Sequence, residues 1–264
     1  MTNSALIITI DDTGRARITM DRPELHNAFD DSLIAELTAA LKQLDDDPDV
    51  RTVTLAASGK SFSAGADLNW MRRMADYSHE QNLADAEGLA ELMRTLDTLS
   101  KPTIALVQGA TYGGGVGLAA CCDIAIATER ASFCLSEVKL GLIPAVISPY
   151  VLAAIGARAA RRYFQTAEVF DAGEAYRIGL VHLVVADDHE LAAAGERMTA
   201  LLLNNGPNAM NAAKNLIAAV AGHPVDDALI ADTAGRIAGQ RASWEGREGL
   251  SAFLEKRKPA WVRE

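Results

Sequence analysis

The chain has 264 residues, enough to bury a sizeable core in one large domain or in one domain with a smaller appendage. A formal net charge of -10 argues against a general nucleic-acid binder, and a 49% hydrophobic composition suits a globular, soluble protein. Three cysteines, with Cys121 and Cys122 adjacent and Cys134 nearby, show no metal-ligand spacing and make an odd count for a disulfide framework, which points to a reducing, cytoplasmic setting.

The opening "MTNSALIITIDDTG" lacks the basic, apolar and small-residue succession of a signal peptide and reads as a first strand and turn. In "DDSLIAELTAALKQL", Leu33, Ile34, Leu37, Leu41 and Leu44 fall on one helical face, and Asp30 or Asp31 can cap the first turn. "VRTVTLAAS", "TIALVQG" and "DIAIAT" read as β-branched or apolar strands separated by helical or glycine-rich sequence, the alternation of an α/β protein with buried parallel strands. "DAGEAYRIG" sets Asp171 and Glu174 at capping-box spacing, with Gly179 as a helix stop before the strand "LVHLVV". From about Leu191 the pattern changes to Ala- and Leu-rich helices, so a core over 1–190 and a helical appendage over 191–264 are expected.

Two charge-free stretches, 102–122 and 140–157, are long enough to test for membrane insertion. The first is broken by five glycines and the second by Pro144 and Pro149, so buried strand, turn and short helix is expected in both.

The glycine turn in "GATYGGGVGLAACCD" allows three readings. "GVGLAA" matches a dinucleotide-binding fingerprint, but too few residues separate Gly117 from the next strand for the crossover helix that fold needs. A plain packing turn is the second reading. The third uses free peptide N–H groups at a helix start, which bind an oxyanion closely. A second turn of the same kind, "SAGAD", lies upstream, so the N–H groups of Ala66 and Gly114 are candidates to converge on one carbonyl oxygen.

Taken together, "RPELHNAF", "SFSAGADL", "KPTIALVQGATYGGGVGLAACCDIAIA", "FCLSEVKLGLIPA", "AEVFDAGEAYRIGLVHLVV" and "EGREGLSAFLEKRKPAW" resemble the enoyl-CoA hydratase/isomerase, or crotonase, superfamily nearly end to end. The resemblance implies a spiral core of repeated ββα turns, a helical C-terminal trimerisation region, and a homotrimer or dimer of trimers. It implies an acyl-CoA thioester substrate, with coenzyme A part of the substrate, no separate cofactor and no metal. By the same resemblance Ala66 and Gly114 hold the thioester oxygen, while Ala64, Asp67, Leu68, Tyr112, Gly113 and Gly117 surround the substrate. Trp70 and Met74 are expected to form a helix face over the acyl pocket, unless they simply pack in the core. Arg72 or Arg73, and the cluster Lys256 to Lys258, are candidates for contacts to coenzyme A phosphates, with solvated helix ends as the alternative.

Hydratases of the family use two glutamates; here one of those positions is Gly117 and the other is Glu137. A single carboxylate beside an oxyanion site suits proton transfer at carbon, as in a Δ3,Δ2-enoyl-CoA isomerase. "SAGADLNWMRRM" and "LIPAVISPYV" resemble more closely the bacterial hydratases of methylglutaconyl-CoA and carboxygeranoyl-CoA. On that resemblance a hydratase of a branched or carboxylated enoyl-CoA, as in branched-chain amino acid degradation, is expected, with Gly117 leaving an opening for the bulkier chain. An isomerase using Glu137 alone, and a non-catalytic CoA-binding or assembly subunit, remain as alternatives.

Overall fold

After an opening hairpin, strands arrive in pairs, and the two members of each later pair join different sheets. In the computed structural model, which describes residues 4–263, β1 (Leu6–Ile10) and β2 (Arg15–Met20) form an antiparallel hairpin. Four strands extend it in parallel: β3 (Thr52–Ala57), β5 (Thr103–Val107), β7 (Ile124–Thr128) and β10 (Leu183–Val185). The partners β4 (Ser61–Ser63), β6 (Ala110–Tyr112) and β8 (Ser132–Cys134) build a second, parallel sheet closed by the antiparallel β9 (Phe170–Asp171). Helices follow each pair: α1 (Asp31–Asp46) precedes β3, and α2 (Leu68–Met74) with α3 (His79–Asp97) follows β4. Then come α4 (Gly114–Cys121) after β6, α5 (Ser148–Thr166) after β8 and α6 (Ala172–Arg177) after β9. The result is the expected α/β spiral of ββα turns.

Local chemistry accounts for the elements. The Asp30 carboxylate caps α1 by accepting from the Leu33 N–H at 2.8 Å, and Leu33, Ile34, Leu37, Leu41 and Leu44 are buried as their spacing predicts. Each such side chain contributes roughly 1.5–3 kcal/mol on burial. All five residues of β5 are buried, because the sheet carries helices on both faces. Segment 102–122 becomes β5, β6 and α4, while Pro149 sits in the first turn of α5, where a missing N–H costs little. Among the described residues no helix is long and apolar enough to cross a membrane.

The C-terminal helices are α7 (Asp188–Leu203), α8 (Pro207–Val220), α9 (Asp227–Ala242) and α10 (Trp244–Glu255). The first differs from the expected division at residue 190. Leu191 and Ala194 of α7 pack on Ile104, Leu106 and Ile126, so this helix covers the sheet face that the spiral leaves open and belongs to the core. By contrast α8 and α9 bury no side chain within the chain. The half-buried region behind α7 is tied back by Arg51, whose guanidinium donates to the carbonyls of Asn205 at 3.0 Å and Trp261 at 2.9 Å.

Candidate active site

Phe29 organises both glycine-containing turns. Its N–H donates to the Gly65 carbonyl at 2.7 Å, and its carbonyl accepts from the Asp67 N–H at 2.7 Å, which makes a parallel bridge to Ala66. In that pairing the flanking residues supply both bonds, so the Ala66 N–H points away from Phe29 and has no partner among the described residues. Across the site, the Phe29 ring packs beneath Gly114: a Cβ there would lie 3.1 Å from Cε2. Gly114 opens α4, and its N–H is one of the first-turn donors that no helix can satisfy internally. The preceding Gly113 lies at φ 50, ψ -118, a left-handed backbone suited to glycine, and its N–H is held by the Cys134 carbonyl at 2.9 Å. Gly65, at φ 91, abuts Gly113 so closely that a Gly113 Cβ would stand 4.0 Å from the Gly65 Cα. The two turns therefore meet, each presenting an unpaired donor, which is what an oxyanion requires.

Glu137 reaches the same place from β8, at the start of a 3₁₀ turn (Glu137–Leu140). A Cβ at Gly113 would come 3.2 Å from Glu137 Oε1, so the carboxyl lies directly over the turn. Its other oxygen, Oε2, is buried and has no hydrogen-bond partner among the described residues. Burial pushes the carboxyl above its ordinary value, against the pull of its own backbone N–H. A buried, unpaired carboxyl costs stability and is kept where a proton must be held and released.

These groups line a cavity of about 370 Å³, within the size range of small-ligand sites. Ala64, Ala66, Gly113, Gly114 and Glu137 are all in its wall, as are Trp70 and Met74. Four other expected residues are not. Asp67 is spent on capping α2 through the N–H groups of Asn69 and Trp70, and Leu68 is 65% exposed. The Tyr112 hydroxyl is directed to Ser132 Oγ at 3.5 Å. Gly117 is covered: a Cβ there would fall 2.3 Å from Ile147 Cγ2, and it is Ile147 that faces the cavity. The expected opening at Gly117 is thus filled by a side chain 30 residues further on. Arg72 and Arg73 also lie outside the wall, engaged by Asn69 and Asp31, while Arg257 is paired with Glu248 and Glu255.

Three contributors were not singled out in the sequence: Phe29, Ile147 and Asp85. Phe29 sits inside the quoted "RPELHNAF", where Asn27, fully buried at φ 52, fixes the segment by donating to the carbonyls of Ser58 and Ser61 at 2.9 Å. Asp85, on α3, accepts from the Trp70 indole N–H at 3.0 Å. Only its place in the fold reveals it, since the surrounding "HEQNLADAEG" reads as a solvated helix.

Paired backbone donors facing one carboxyl at the glycine turn, in a largely apolar cavity carried on a ββα spiral, define an acyl-transfer or enolate-forming type of site. The sequence profile described as Enoyl-CoA hydratase/isomerase matches residues 12–264, and the chain belongs to that family of enzymes. A crystal structure of an enoyl-CoA hydratase from Shewanella pealeana is similar with a TM-score of 0.95 at 51% identity, covering 98% of this chain and 96% of that one. Pseudomonas aeruginosa AtuE is similar with a TM-score of 0.93 at 36% identity, over 98% of this chain and 100% of its own. A crotonyl-CoA hydratase of Syntrophomonas wolfei is 34% identical over 250 residues, 94% of each chain.

Proposed function

We propose that the protein hydrates a 2-enoyl-CoA thioester in this cavity. The thioester oxygen accepts from the N–H groups of Ala66 and Gly114. As the oxygen of water bonds to the β-carbon, electron density moves through the double bond to the thioester oxygen, and the two donors stabilise the enolate. Glu137 takes the proton released by the water and returns a proton to the α-carbon, so that the carboxylate is regenerated and the product is a 3-hydroxyacyl-CoA. The observation that carries this reading is the buried, partnerless Glu137 oxygen beside the Gly113 turn. The names of the similar proteins support hydration over other enolate chemistry.

The acyl group we infer is apolar and uncharged where it meets this wall. No Lys, Arg or His lines the cavity among the described residues, whereas two carboxyls do, so a carboxylated acyl chain would enter without a counter-charge. Trp70, Met74, Leu89 and Ile147 offer it an apolar wall. Exposed Ile217, Val225, Phe253 and Leu254 on and between the C-terminal helices support assembly as a homotrimer or dimer of trimers.

A second reading, Δ3,Δ2-enoyl-CoA isomerisation, is favoured by one specific observation: a single carboxyl stands at the glycine turn. Incubation with matched 2-enoyl- and 3-enoyl-CoA esters separates them. Hydration adds the mass of one water to the 2-enoyl ester; isomerisation moves the double bond at constant mass. Constant mass throughout would replace the first reading with the second, and no product from any ester would leave a binding or assembly subunit.

A further inference from the structure

The cavity holds a second carboxyl that hydration does not use. Asp85 lies on α3, one helical turn after Asn82, and both line a wall that is otherwise apolar around Trp70, Leu89 and Ile147. Asp85 Oδ1 accepts from the Trp70 indole N–H at 3.0 Å, and Trp70 is itself 5% exposed, which fixes the direction of the carboxyl. Oδ2 accepts from no group among the described residues. The cations in the neighbourhood are occupied: Arg73 is paired with Asp31 at 2.6 Å, and Lys42, in a shallow groove on the other side of Asp85, with Glu91 at 2.7 Å. Burial, and the charge of Asp31, raise the Asp85 carboxyl above its ordinary value while the indole N–H and Arg73 lower it.

A carboxyl so placed faces the acyl chain with one acceptor unfilled. It repels an acyl carboxylate through a medium poorer in water than bulk solvent. Asp85 is half-buried, so an acyl hydroxyl that reaches Oδ2 takes the place of solvent there with a charge-assisted hydrogen bond, which a methyl cannot offer and a carboxylate cannot donate. We propose that Asp85 is a specificity-determining residue that rejects acyl chains bearing a carboxylate and accepts a hydrogen bond from chains bearing a hydroxyl. The proposal rests on the reading that this cavity takes the acyl end of an acyl-CoA.

Calorimetry with saturated acyl-CoA esters tests it without turnover. The ligands are chains of increasing length, each ending in a methyl, a hydroxyl or a carboxylate, bound to wild type, Asp85→Asn and Asp85→Leu. Asparagine keeps an oxygen for the Trp70 indole, and thermal melts verify that each variant is folded. At the length that reaches Asp85, wild type is expected to bind the hydroxyl ester about 10-fold tighter than the carboxylate ester, from the repulsion between the two carboxylates. Asp85→Asn is expected to bring the two within about threefold, chiefly by improving the carboxylate ester, once the charge repulsion is gone. Asp85→Leu shifts preference to the methyl ester. Equal affinity of wild type for hydroxyl and carboxylate esters at every length, or an unchanged ratio in Asp85→Asn, overturns the proposal. Binding with the expected ratios but no hydration of 2-enoyl esters would sink the hydratase reading alone; no binding of any ester would sink both.

Discussion

Ile147 stands over Gly117, with its Cγ2 2.3 Å from where a Cβ at Gly117 would be and with Met93 Sδ 3.1 Å from the same point. Glycine is required here by space, since Gly117 lies within α4 and Ile147 is 2% exposed. Gly117→Ala is therefore expected to overpack the core and destabilise the fold by about 1–3 kcal/mol in urea unfolding. The loss in the double variant with Ile147→Ala should be smaller than the sum of the two single losses, because the added methyl occupies part of the space that Ile147 vacates. Gly117→Glu alone should not raise crotonyl-CoA hydration; a gain, if any, requires the double variant in which Ile147 no longer blocks the carboxyl. Additive losses in the double variant, read from unfolding midpoints, would show that the two residues do not share this space.

Gly113 is constrained from two directions. Its backbone conformation strains any L residue, and an added Cβ would press on Glu137 Oε1 from 3.2 Å. Gly113→Ala should cost about 1–3 kcal/mol of stability. It should also lower kcat more than it raises KM, since it moves the proton carrier without filling the acyl end of the cavity. Steady-state kinetics with near-normal kcat would separate Glu137 from the turn.

Glu137 carries a stability cost with a definite sign in pH. Burial raises its folded pKa above the ordinary 4.5, so the folded state binds this proton more tightly than the unfolded state. Below 4.5 the group is protonated in both states, and as pH rises through the folded value the ionised side chain progressively destabilises the fold. Glu137→Gln lacks this penalty. Its melting temperature should match wild type in acid and exceed it toward neutral pH, by roughly 2–4 °C for each kcal/mol released. The opposite trend, with wild type gaining over the variant as pH rises, would mean that the carboxylate is well solvated or paired.

Periodicity and capping made the local elements legible: the buried stripe of α1 and its Asp30 cap, and the Asp171 cap of α6, appear where the spacing places them. Both turns that meet at Phe29 were visible because small residues at a helix start leave N–H groups bare. What stayed hidden depends on contacts between residues distant in sequence. Nothing in "LIPAVISPYV" indicates that Ile147 fills the space over Gly117, and nothing in the polar sequence of α3 distinguishes Asp85 from its solvated neighbours until Trp70 meets it. The place of α7 against the sheet is hidden in the sequence for a related reason. Its Ala- and Leu-rich pattern resembles that of the helices after it, and only the open face of the sheet, covered by Leu191 and Ala194, sets it apart.

Comparing kcat/KM of wild type and Glu137→Gln on a 2-enoyl-CoA ester, across the pH range where both are folded, tests the role of Glu137 most directly. The glutamine keeps the shape of the side chain and removes the proton carrier. The expected result is a fall of about 10² or more in kcat, equivalent to roughly 2.7 kcal/mol of transition-state stabilisation, with acyl-CoA affinity little changed. Wild type should also show an acid limb centred above 4.5 that is absent from the residual activity of the variant. A Glu137→Gln enzyme hydrating the ester at close to the wild-type rate, with the same acid limb, would contradict the assignment of Glu137 as the group that moves the proton.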